Sequence, residues 1–68
     1  MLTLTNEQAY KYWIRTYPEA AVVIARLLEV GEAPRDIIAA MLIDGATETM
    51  MRTTRQSLAY LSEQYATA

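Results

Sequence analysis

The stretch Ala20–Val30, AAVVIARLLEV, does most to constrain what this chain can fold into. It is apolar throughout except at Arg26 and Glu29. Its spacing is helical: Ala20, Val23, Ile24, Leu27 and Val30 fall at the i, i+3, i+4, i+7 positions of one stripe. Ala21, Ala25 and Leu28 widen that stripe on one flank. A helix this apolar is expected at the centre of a fold, touched by neighbours on more than one side.

The rest of the chain arranges itself as helices around it. Thr5 and Gln8 fit the S/T-x-x-E/Q capping box, with Leu4 and Ala9 placed for a hydrophobic staple. A first helix is therefore expected from Asn6 to about Arg15, carrying an aromatic face of Tyr10, Trp13, Ile14 and Tyr17. Thr16-Tyr17-Pro18-Glu19 reads as a second capping box, with Pro18 tolerated in the first turn. The helix it opens should stop at Gly31, a residue suited to the left-handed position past a C-terminus. Pro34 opens a third helix with Asp36 in its first turn and Ile37, Ile38, Met41 and Leu42 as its apolar face. Ala39 and Ala40 would let a neighbour approach closely, and Asp44-Gly45 stops the helix. The fourth and longest segment runs from Thr47 to about Gln64. Its seam of Thr47, Met51, Thr54, Leu58, Leu61 and Tyr65 repeats at fours and threes, with Met50 alongside. The two β-flavoured stretches, Leu2–Thr5 and Val22–Ile24, are too short or lie inside helical patterns. The fold class is all-α: one domain over residues 1–68, a compact bundle or array of four helices joined by short connections, the last longest.

Composition narrows the function classes. Sixty-eight residues bury a small fraction of their surface, and one core of this size supplies roughly 3–5 kcal/mol. With no cysteine there is neither a disulfide nor a thiolate metal site, yet 53% of the residues are hydrophobic. Self-association reconciles the two, by covering apolar surface that one copy cannot. A net charge of −2 argues against a general affinity for nucleic acid. The start MLTLTNEQ lacks the basic and apolar regions of a secretory signal, and no apolar run approaches the roughly 20 residues of a spanning helix. A soluble, cytoplasmic protein is expected.

Enzymology has little to work with. Histidine and cysteine are both absent, which removes the commonest general base, nucleophile and metal ligands. Glu7, Glu19, Asp36 and Glu48 fall near helix starts, where the macrodipole accounts for them. Two distant glycines build no phosphate-cradling loop. No catalysis, cofactor or metal is expected.

Two surfaces remain as candidates. The lengths of the third helix, the turn Ile43-Asp44-Gly45-Ala46 and the fourth helix resemble the helix-turn-helix of small bacterial DNA-binding domains. That resemblance implies a DNA-binding transcriptional regulator with the 47–60 helix as recognition helix. Thr49, Arg52, Thr53, Arg55 and Gln56, with Tyr60 beside them, would then meet DNA. Against it stand the acidic balance and Glu48, one turn from Arg52 and able to pair with it. The second surface is aromatic: Tyr, Trp and Arg dominate interface hot spots. Trp13 and Ile14 are expected in the core, packed with Leu58, Leu61 and Tyr65, because so small a chain needs its large side chains there. Tyr12 and Tyr60 point away from the stripes of their helices, and so should be exposed or touch another chain. With Tyr10 and Arg15 they form the candidate protein interface. Met41, Met50 and Met51 are expected as core filling. The leading expectation is a non-enzymatic protein–protein interaction module, a homodimer of the regulatory, adaptor or phage-type inhibitor kind.

Overall fold

The computed structural model describes residues 3–67, and the side chains of residues 3–65. Four helices follow in chain order: α1 (Asn6–Thr16), α2 (Pro18–Glu29), α3 (Pro34–Ile43) and α4 (Glu48–Thr67). No strand forms among the described residues; Thr3–Thr5 precede α1 as irregular chain, and Leu2 lies outside the described residues.

Local chemistry explains the helix ends. At the start of α1 the Gln8 N–H donates to Thr5 Oγ1 at 3.1 Å, and the Thr5 N–H donates to Gln8 Oε1 at 2.9 Å. Both halves of the expected capping box are thus made. Thr47 caps α4 in the same manner, its hydroxyl accepting from the Met50 N–H at 3.2 Å. α2 and α3 both end in Schellman motifs. The Glu32 N–H reaches the Leu27 carbonyl and the Gly31 N–H that of Leu28, at 3.0 and 3.1 Å. Ala46 and Gly45 repeat the pattern on Met41 and Leu42. Gly31 at φ 102° and Gly45 at φ 84° supply the left-handed residue that each motif needs.

The second capping box does not form. The N-cap of α2 is Tyr17, which makes no side-chain capping bond and is also the C-cap of α1, its N–H donating to the Trp13 carbonyl. With a single residue between the helices, Tyr17 turns the corner by backbone geometry (φ −127°, ψ 61°), and Thr16 remains the last residue of α1.

The core joins Trp13, Ala21, Ile24, Ile37, Ile38, Met41 and Leu58, with Tyr10, Tyr17, Leu28, Met50, Met51 and Leu61 half-buried against it. Helix α4 is the hub: α1 lies along it in the most extensive helix pair, and α3 packs against it next. Trp13 is fully buried, and its indole N–H donates to Thr54 Oγ1 at 2.9 Å. The Thr54 hydroxyl in turn donates to the Met50 carbonyl at 2.7 Å, so nothing polar at this junction is orphaned. Thr53 and Ser57 are buried alongside, with hydroxyls donating to the carbonyls one turn back. These short side chains, with fully buried Ala9 on α1, allow close approach of the two helices.

Helix α2 is not the centre that its composition suggests. Its buried face is Ala21 and Ile24, with Ala20, Ala25 and Leu28 half-buried, whereas Val23 and Leu27 of the expected stripe are exposed and Val30 is 68% exposed. The small-residue flank turns inward because Ala21 and Ala25 fit beside Tyr10 and Trp13 where the tight Tyr17 corner delivers them. Ile14, Leu42 and Tyr65, all expected inside, are exposed as well. Much of this follows from shape. The molecule measures 32 × 28 × 19 Å, and its shortest dimension is about two helix diameters, so α2 and α3 each keep a long side facing solvent.

Candidate protein-interaction surface

The residues singled out for DNA contact do not stay together. Thr53 is buried, its hydroxyl committed to the Thr49 and Met50 carbonyls at 2.9 and 3.1 Å. Gln56 is half-buried, and its side-chain amide donates to the Leu4 carbonyl at 2.8 Å, tying the segment before α1 onto α4. Arg52 lies 3.5 Å from Glu48, one turn back. Only Thr49, Arg52 and Arg55 of the five remain exposed. A recognition helix has to project a continuous polar face into a groove. Here the Thr53–Gln56–Tyr60 side of α4 is closed by α1 and by the chain leading into it. Helical periodicity could not show this, because it does not say which side of α4 the first helix occupies.

The aromatic candidates divide likewise. Tyr12 is exposed, and Arg15 is exposed in the last turn of the same helix, one turn on. Tyr60 is not set apart from its own chain, as the stripe argument required. Its ring stacks on Tyr10 at a centroid separation of 4.9 Å and an interplanar angle of 28°, and Tyr10 leans on Trp13 at 6.1 Å. Both Tyr10 and Tyr60 are half-buried, in the seam between α1 and α4. Their first use is to close that seam.

A surface that periodicity did not single out is larger. On α2 the side chains of Val22, Val23, Leu27 and Val30 face solvent, Val22 at 72%; at the end of α3 Leu42 and Ile43 do the same, Ile43 at 84%. Two apolar grooves run on either side of α3. Between α2 and α3 lies a groove of about 510 Å³, walled by Val23, Leu27, Ile37 and Met41, with Glu19 and Asp44 among its lining residues. Between α3 and α4 lies one of about 620 Å³, walled by Ile38, Leu42, Met51 and Leu58, with Arg35 and Arg55 among its lining residues. The signal for this surface was in the sequence as an excess: α2 is apolar on more of its circumference than one set of neighbours can cover.

Among the described residues, no three acidic side chains gather in a cluster fit for a metal ion, and no helix is long and apolar enough to cross a membrane. No family model, curated protein or solved structure matches the chain.

Proposed function

We propose that this chain is a small non-enzymatic protein-interaction module that self-associates, of the regulatory, adaptor or phage-type inhibitor kind. The observation that carries the reading is the apolar surface left on α2 and the end of α3, above all Val22, Val23, Val30, Leu42 and Ile43. Scattered exposed aliphatics need no explanation, but here Val23 and Leu42 each wall an apolar groove beside α3, and apolar grooves are where binding surfaces form. A stable interface takes about 800 Å² from each partner.

Light scattering on a size-exclusion column tests the reading across a wide range of protein concentration. The expected result is a mass above 7.7 kDa that falls on dilution. A mass fixed at 7.7 kDa at every concentration would remove self-association from the reading. Adding a random-sequence duplex at low salt covers the other functional class. The expected result is no comigration; a shift that disappears as salt rises would transfer the function to Thr49, Arg52 and Arg55.

A further inference from the structure

The two grooves beside α3 differ in sign. The α3–α4 groove is lined by Arg35 and Arg55 and by no acidic side chain; the α2–α3 groove is lined by Glu19 and Asp44 and by no basic one. Neither Arg35 nor Arg55 takes part in the ion pairs Lys11–Glu7 and Arg52–Glu48. The apolar walls therefore come with charges that these pairs do not answer.

We propose that two copies of this chain associate unlike groove to unlike groove, with the α2 ridge of one copy lying in the α3–α4 groove of the other. The ridge is Glu19, Val23 and Leu27, which follow one another at intervals of four and together wall the acidic groove. Exposed Val30 extends it by a further turn. The receiving groove has apolar walls, while Ala39, Ala59 and Ser62 are short enough along its lining to admit a helix. Lengths agree: Glu19 to Leu27 spans about 12 Å, and so does the α3 side of the groove from Pro34 to Leu42. Charge selects this pairing over the alternatives. Joining two α3–α4 grooves would set Arg35 and Arg55 against their own copies, and joining two α2–α3 grooves would set Glu19 and Asp44 against theirs. Only the unlike pairing brings Glu19 to the arginines, and like charges facing across an interface suppress the wrong arrangement. A ridge entering a groove also buries Val23 and Leu27, two exposed members of the apolar stripe of α2.

This inference rests on the self-association reading, and a mixing experiment separates the two. One variant carries Glu19→Lys and Val23→Lys, which spoil the ridge and leave the α3–α4 groove intact. The other carries Arg35→Glu and Arg55→Glu, which spoil the groove and leave the ridge intact. All four positions are exposed, and circular dichroism checks that each variant keeps its helices. Light scattering on the wild type is expected to give a multiple of the 7.7 kDa chain mass that grows with concentration, because every added copy leaves one ridge and one groove free. Each variant alone is expected at 7.7 kDa, and their equimolar mixture at twice that mass. The mixture regains association because it restores one native ridge in one native groove. A wild type that is monomeric at every concentration overturns both the inference and the self-association reading. If either variant alone associates like the wild type, or the mixture stays at 7.7 kDa, the inference falls and self-association stands on another surface.

Discussion

At the scale of single residues, the junction of Trp13 and Thr54 concentrates the fold's specificity. A buried indole N–H without a partner costs about 1–3 kcal/mol, so the Thr54 hydroxyl is needed as much as the ring. Thr54→Val keeps the volume and removes the acceptor. It is expected to lower stability by about 1–3 kcal/mol in urea denaturation, whereas Thr54→Ser, which retains a hydroxyl, should lose less. Equal midpoints for the two would mean that the hydrogen bond is idle. The Tyr10–Tyr60 stack is a second such residue pair. Tyr60→Ala should lower the thermal midpoint through a loss of about 0.5–1.5 kcal/mol beyond its area, without changing the mass in solution. A changed mass would return Tyr60 to the interface. The surface pairs Lys11–Glu7 and Arg52–Glu48 are exposed at i, i+4, and each is worth about 0.3–0.5 kcal/mol.

At the scale of elements, the four helices are defined largely at their ends. The capping chemistry separates two threonines that look equivalent in the sequence. Thr5 accepts from the Gln8 N–H, and Thr5→Ala should cost about 1 kcal/mol. Thr16 is the last residue of α1 and caps nothing, so Thr16→Ala should leave the denaturation midpoint where it is. A comparable loss from both substitutions would mean that the box at Thr16 forms after all. Gly31 tests the other end of α2. An added Cβ meets nothing within 4 Å, so the cost of Gly31→Ala is conformational alone, about 1–2 kcal/mol for a left-handed residue. For a domain with roughly 3–5 kcal/mol in total, any one of these losses is readily measured.

At the scale of the whole molecule, the flattened shape decides the surface. A body about two helix diameters thick cannot surround α2, so an apolar helix ends with one side buried and one side open. If that open side binds a second copy, association stabilises the folded state by mass action. The thermal midpoint is then expected to rise with protein concentration in the wild type, and to be independent of concentration after Glu19→Lys with Val23→Lys. A wild-type midpoint that ignores concentration would argue against self-association by a route separate from light scattering.

The number of helices, their order and most of their ends were legible in the sequence, because caps, prolines and glycines act on neighbours within a turn. Thr5, Pro18, Gly31, Pro34 and Gly45 all do locally what their types dictate, whereas Thr47, expected in the seam of the fourth helix, is its exposed cap instead. The core was legible where one stripe had only one side available: Trp13, Ile37, Ile38, Met41 and Leu58 are buried as their spacing requires. Where a helix offered two apolar sides, spacing could not choose between them. On α2 the choice fell to the one-residue corner at Tyr17 and to the room beside Trp13, which take Ala21 and Ala25 inward and leave Val22, Val23 and Val30 outside. The same holds for the site. That Arg35, Arg55, Glu19 and Asp44 are charged is plain from the sequence. That they line two grooves of opposite sign on either side of α3 depends on residues distant in the chain, and only the packing of α2, α3 and α4 brings these together.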